Sequence, residues 1–472
     1  MRAGGTVNGR RLRSVALNPS RLGFPCAAGH HTMKEMRRAA FALLTIGAGA
    51  VACALGSSGS GADGDPLVTS PDGCSGLACK RVSCGAAPTT RLTGRVTDPA
   101  GLRGIYNVSV YVPNGPVPAV KHGAQCDSCG KRNVGAVVSA LTDAKGEFAL
   151  DDVPVDPALP LVVEIGRFRR LVTVNVAPCA VTRLADDVVR LPKKSSEGEL
   201  PLIADTTGAS DSLECLLRNI GIDDSEFVPG GSARGHVQLF QGKGGGGLPK
   251  VPVPSASDLW NDPARLALYD IVTLSCEGDE ANENKGGSDP VAREAMHGYA
   301  NEGGHVFATH FQYTWLKSSP DADFRGVATW DATKDVGDDY TIDTTFPKGK
   351  AFADWLSTTN ATPTYGLIHL DNVTFSAGEV HHPPAQPWIR KSANGRVRYF
   401  TFNTPIGTPR EAQCGRFVFA DLHAFAIGGS DFPEGCLAPK TTLTPQQLAL
   451  EFLLFDLFAC VDDDREPPMA PR

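Results

Sequence analysis

Two short runs of this 472-residue chain carry side chains able to act on a bound molecule. One is Ser275-Cys276-Glu277-Gly278-Asp279-Glu280, and the other is His310-Phe311-Gln312-Tyr313-Thr314-Trp315. Each follows an apolar run that reads as a buried strand, Asp270 to Leu274 and His305 to Thr309. A thiol beside an imidazole supplies a nucleophile and its base. A carboxylate beside an imidazole supplies an acid/base pair. The candidate catalytic residues are therefore His310, Glu277 and Gln312, with His423 of Asp421-x-His423 as a further member. Each has a plainer alternative. Cys276 can pair with Cys215 in a disulfide, which removes the nucleophile. His310 can be a hydrogen-bonded structural histidine, and Asp421-x-His423 can cap a sheet edge.

Other clusters are weaker. Cys126-Asp127-Ser128-Cys129 has redox-dithiol or half-zinc spacing, but no second such pair, so it reads as a structural disulfide. His381-His382 precedes Pro383-Pro384, and neighbouring histidines in extended chain point apart. That pair, His369 and Asp371 therefore do not read as a metal site. No metal or other cofactor is expected. Arg167, Arg169 and Arg170 form a basic run that suits a solvated hairpin tip or an inter-domain ion pair better than an anionic ligand. A net charge of -7 supplies no basic field, so nucleic acid is not an expected partner. A polysaccharide or an envelope protein is.

The compartment decides how the thiols are read. Met33-Lys34-Glu35-Met36-Arg37-Arg38 is a basic start, and Ala39 to Ala52 is an apolar run too short to span a bilayer. Ala50-Val51-Ala52 supplies small residues for cleavage, and Cys53 occupies the lipidation position ahead of a Gly/Ser-rich tether. The chain reads as exported, either a lipoprotein of the cell envelope or secreted, with membrane contact only through the lipid. Residues 1–53 are expected to comprise an over-extended N-terminus and the signal, with Met33 or Met36 as the start. Thiols outside the cytosol mostly pair. Cys126, Cys129, Cys215, Cys276, Cys414, Cys436 and Cys460 are the disulfide candidates, with connectivity open. Six cysteines precede the larger domain and five lie in it, so at least one stays free or pairs between domains.

These residues need elements to hold them. Residues 54–87 read as a Cys-containing tether, and 88–191 as a small all-β sandwich of short strands separated by turns. Residues 199–462 alternate strands with helices, which predicts a doubly wound α/β domain with a mostly parallel sheet, and 463–472 form a tail. Helices are expected over Asp211–Ile220, Asp258–Tyr269, Asp289–Asn301 and Leu443–Cys460. Ligands of such sheets sit at the carboxyl ends of strands, where both reactive runs fall.

Three resemblances add to this. Thr93-Gly94-Arg95-Val96, Asn107-Val108-Ser109-Val110 and Thr142-Asp143-Ala144-Lys145-Gly146-Glu147-Phe148 resemble the carboxypeptidase regulatory-like domain, which implies an accessory module without catalytic residues. Tyr269 to Leu274, Tyr299 to His310 and Asn394 to Phe402 resemble the class I glutamine amidotransferase-like fold, most of all its trehalose-utilisation-like branch. In amidotransferases a nucleophilic Cys on a strained elbow occupies the position of His310. Asn403-Thr404-Pro405 stands where that branch tends to place Gly-His. The whole chain is similar to exported proteins of myxobacterial type, through motifs such as Leu274-Ser275-Cys276-Glu277-Gly278 and Cys414-Gly415-Arg416-Phe417. Together these imply a non-catalytic envelope binding or scaffold protein. The alternative is an enzyme acting on carbohydrate or a related polar ligand through His310 and Glu277.

Overall fold

The computed structural model describes residues 73–129, 134–334, 338–371, 374–425, 428–436 and 443–472. Cys53, the signal and the first part of the tether lie outside the described residues.

The first seven strands are β1 (Arg91–Arg95), β2 (Ser109–Pro113), β3 (Ala136–Leu141), β4 (Glu147–Asp151), β5 (Leu159–Ile165), β6 (Phe168–Val174) and β7 (Val181–Arg183). They form two sheets, β4-β1-β7 and β3-β2-β5-β6. In β1 and β4 alternate residues, Leu92, Phe148 and Leu150, turn inward, as period-two patterning requires. Gly146, at φ +79, closes the turn into β4. The end of the expected tether joins this unit, because Cys84 is bonded to Cys179 and Cys74 to Cys79.

The second region contains β8 (Ile203–Thr207), α1 (Leu213–Asn219), β9 (Phe227–Pro229), β10 (Val237–Gln241), α2 (Ala256–Trp260), α3 (Pro263–Leu266), β11 (Ile271–Leu274), α4 (Val291–Asn301) and β12 (His305–Thr309). There follow α5 (Thr314–Lys317), α6 (Ala322–Arg325), β13 (Ala328–Lys334), β14 (Asp338–Ile342), α7 (Pro347–Thr358), β15 (Leu367–Leu370), β16 (Thr374–Val380), β17 (Gln386–Lys391), β18 (Val397–Thr404), β19 (Gly415–Ala420) and α8 (Pro445–Phe458). A ten-stranded sheet runs β15-β14-β17-β18-β19-β12-β11-β8-β10-β9. The parallel sheet expected from the sequence is one part of a mixed sheet. β9, β10, β8, β11, β12 and β19 are parallel neighbours, whereas β18, β17, β14 and β15 extend the sheet antiparallel. The expected helix over 258–269 is broken in two, because Asp262 caps the second piece and Pro263 opens it.

Adjacent residues of the parallel strands face opposite cores. Ile203, Leu239, Ile271, Phe307 and Val418 enter one hydrophobic cluster, with α1, α7 and α8. Ala204, Phe240, Val272, Val306 and Phe417 enter the other, with α2 and α4. The first cluster continues without a break into the sandwich. Its bridge is α8, which is buried on every side from Gln447 to Phe458 and carries Glu451 and Asp456 into buried ion pairs. Phe168 of β6 lies 5.1 Å from Phe458 and 6.3 Å from Phe455, and Tyr106 stacks on Phe452 at 5.9 Å. Arg103 is buried between Asp98 and Glu451. The basic hairpin serves this join too. Arg167 pairs with Asp127 and Asp270, and Arg169 lies 3.9 Å from Glu199.

Gly166, at φ +55 in that hairpin, sits where a Cβ would lie 1.7 Å from the Phe458 carbonyl oxygen. Gly166→Ala is therefore expected to cost about 3 kcal/mol, read as a lowered midpoint in guanidinium unfolding. An unchanged midpoint would show that the sandwich is not seated on α8 in this way. Residues 463–472, read from the sequence as a tail, are built in. Asp464 is buried, and the Pro471 carbonyl accepts from Ser139 Oγ at 2.6 Å.

Five disulfides lie among the described residues: Cys74–Cys79, Cys84–Cys179, Cys126–Cys414, Cys129–Cys460 and Cys215–Cys436. Two readings are corrected by them. Cys126 and Cys129 are not joined to each other but run to β19's approach and to the end of α8. Cys215 is joined to Cys436, which leaves Cys276 free. Among the described residues no helix is long and apolar enough to cross a membrane.

Candidate functional site

β8 lies between β10 and β11 in the sheet, so the chain spreads to both sides of its first parallel strand. The carboxyl ends beside such a reversal form the crevice where ligands of open α/β sheets bind. Cys276 and Glu277 leave the end of β11, His310 the end of β12, and His423 follows β19.

The His310 backbone is held at φ +44, a left-handed conformation that a non-glycine residue rarely takes. It marks a sharp turn from β12 into the 3-10 turn His310–Tyr313. Such strained positions concentrate at functional sites. Here the strain directs the ring inward, and His310 is 6% exposed. Its Nδ1 lies 3.2 Å from Cys276 Sγ and 3.1 Å from His423 Nε2. Cys276 is wholly buried and anchored by its N–H donating to Thr309 Oγ1 at 3.0 Å. The turn bearing His423 is fixed from below. One Asp211 carboxylate oxygen accepts the N–H groups of Ala424 (2.8 Å) and Phe425 (3.1 Å), and Gln446 donates to the His423 carbonyl at 2.7 Å.

Burial sets the charge state of Cys276 and His310. It pushes the Cys276 thiol up to about 12 and, helped by the neighbouring His423, drops the His310 imidazole to about 3. Thiol and imidazole are thus both neutral at pH 7, not the thiolate–imidazolium pair of a cysteine hydrolase. A disulfide reagent such as DTNB is expected to modify Cys276 at least about 1000-fold more slowly in the native protein than in guanidinium. Prompt native reaction would show a poised thiolate instead.

Glu277 and Gln312 form a separate knot. Glu277 is buried, and its carboxylate accepts from Lys243 N (2.6 Å) and Asn284 Nδ2 (2.7 Å) while pairing with the equally buried Lys285. Lys285 lies between the Trp260 and Trp315 rings, with centroids at 5.5 and 5.9 Å. Gln312 donates to the Ser275 carbonyl at 2.7 Å and meets Glu277 at 3.4 Å. The sequence candidates therefore divide. His310 and His423 meet each other and Cys276, whereas Gln312, on the same turn as His310, reaches across to Glu277 in the loop after β11. Asp421 turns away to the Ser376 N–H at 2.7 Å. His369 is exposed beside Asp339 and Asp371, and His381 and His382 bond separate carbonyls.

Sequence reasoning missed Lys285 and a set of buried carboxylates behind the site, Asp205, Asp211 and Glu214. Desolvation raises all three above the ordinary range, Asp205 to about 7. β8 is buried on both faces, so no alternation in the sequence marks Asp205.

No protein-family model and no curated protein matches the chain. Among solved structures, two interface mutants of a type II cohesin–X-dockerin complex from Acetivibrio cellulolyticus match at 15% and 14% identity. Each match covers 30% of this chain and 78% of the other, with a TM-score of 0.15. A ThuA-like protein from Bacteroides uniformis matches at 8% identity over 54% of this chain and 89% of its own, with a TM-score of 0.30. At this degree of overlap neither likeness bears on what this chain does.

Proposed function

We propose that the chain is an exported cell-envelope protein that binds or scaffolds a polysaccharide or an envelope protein, and does so without catalysis by Glu277 and His310. The doubly wound α/β region would supply the platform, the sandwich an accessory face, and a lipid on Cys53 the sole membrane contact. One observation carries the reading: the Glu277 carboxylate is consumed by Lys285, Asn284 and the Lys243 N–H. A general acid or base must reach a substrate proton, and this one is enclosed by its partners. Five disulfides support folding outside a reducing compartment.

The test is retention of the purified, disulfide-bonded protein on envelope polysaccharide and on cross-linked envelope protein. The expected result is saturable binding unaltered by His310→Ala. Turnover of a glycoside or ester panel that His310→Ala abolishes would overturn it. Metabolic labelling with a fatty-acid analogue, lost in Cys53→Ser, tests the anchor. A second reading, an enzyme acting on carbohydrate or a related polar ligand, is favoured by the free Cys276 meeting two imidazoles at the strand ends. The same panel decides between the two.

A further inference from the structure

The geometry points to a zinc-type metal site formed by Cys276 Sγ, His310 Nδ1 and His423 Nε2. These three atoms come from three different strand ends and lie within 4.8 Å of one another. Tetrahedral zinc with one sulfur and two nitrogen ligands separates the nitrogens by about 3.3 Å and each nitrogen from sulfur by about 3.6 Å. The observed 3.1 and 3.2 Å contacts open by a few tenths of an ångström, and Sγ and Nε2, which lie within 4.8 Å, close by at most about 1.2 Å to meet that geometry.

Hydrogen bonding alone serves the trio poorly. The Nδ1 of His310 is approached by both Sγ and Nε2. A neutral imidazole nitrogen has either one lone pair or one proton. It can therefore satisfy one of these neighbours well, not both. A cation at their centre accepts all three lone pairs together. The mixed thiolate and imidazole set selects zinc over calcium or magnesium, which take oxygen ligands.

The surroundings are built as an outer shell should be. Thr309 fixes the Cys276 backbone, and Asp211 and Gln446 fix the His423 turn. Asp211 is wholly buried, and its Oδ1 is held by the Ala424 and Phe425 N–H groups. Cys276 is the one free cysteine among the described residues of a chain whose other described thiols are cross-linked. Three protein ligands leave the fourth position of a tetrahedral ion to water or a small ligand, the arrangement of zinc sites that bind or activate an exogenous group.

The experiment uses the exported, disulfide-bonded chain, stripped with chelator and titrated with ZnCl2 or CoCl2. The expected result is one ion per chain, release of about one thiol proton per ion, and a near-ultraviolet thiolate-to-cobalt charge-transfer band. Cys276→Ala and His423→Ala should each weaken binding by about 100-fold or more, and Cys276→Ala should abolish the band. Circular dichroism and an intact disulfide count confirm that both variants fold, and His423, only half-buried, serves if Cys276→Ala does not. His369→Ala should leave stoichiometry and band unchanged. Absence of stoichiometric binding, or binding that survives in Cys276→Ala and disappears in His369→Ala, would overturn the assignment.

Discussion

Cys129→Ser with Cys460→Ser is expected to lower the stability of the protein by about 4 kcal/mol, and adding Cys126→Ser with Cys414→Ser to bring the loss to about 10 kcal/mol. The two cross-links span 288 and 331 residues, yet they start three residues apart in Cys126-Asp127-Ser128-Cys129. While either is present, the other closes an effective loop of only about 50 residues. Removing both frees the whole span, so the double loss exceeds the sum of the single losses. Guanidinium midpoints of these two variants and of Cys126→Ser with Cys414→Ser alone measure this directly. The Cys74–Cys79 bond, closing a separation of five, should matter far less. Equal midpoints for the single and double deletions would mean that the sandwich is not stapled to the larger region through these bonds.

The second large effect concerns Lys348. Its ammonium is 1% exposed and pairs with Asp456, Asp462 and Asp464, beside Arg416, which pairs with Asp456 and Asp464. Lys348→Met keeps the volume and removes the charge, leaving three carboxylates to one guanidinium. A loss of about 3–5 kcal/mol is expected, the cost of breaking a buried ionic network from one side. The sign with pH follows from the direction of the shift. The three carboxylates hold the Lys348 pKa above its ordinary value of 10.5. Its contribution is thus complete below that value and declines only at more alkaline pH. The wild-type and variant unfolding curves should accordingly stay parallel from pH 6 to 9. Asp464 is held down to about 2, so its share fails only as pH drops from about 4 toward that value. A variant as stable as the wild type would show that the network is solvated in the native protein.

How much of this could be read from sequence depended on whether the signal was local. β12, His305–Thr309, was legible because a continuous apolar run ends abruptly at His310. So was α8, whose Thr444 and Gln447 form a capping box around Pro445. The antiparallel extension was not legible. In β14, Asp338, Asp339 and Thr341 face outward and only Tyr340 and Ile342 are buried, a pattern that polar loops share. The site was half legible. His310 and His423 were singled out by position at strand ends, but the partner of Cys276 was misjudged. Cys215 lies on α1, whose partner Cys436 is more than two hundred residues away, and loop length does not encode direction. Lys285 could not be foreseen, because a lysine is ordinarily exposed and only the folded β11 loop brings it to Glu277.

The seating of Phe168 and Tyr106 on α8 has a consequence for biogenesis. Synthesis from the amino end delivers β1 to β7 long before residues 445–458 appear. During that interval the apolar face awaiting Phe452, Phe455 and Phe458 stays uncovered, and Cys129 waits for Cys460. Folding therefore finishes late and all at once, after residues 445–458 have been delivered. A ribosomal stall or premature stop before Pro445 should yield material that the cell degrades, not a stable amino-terminal fragment.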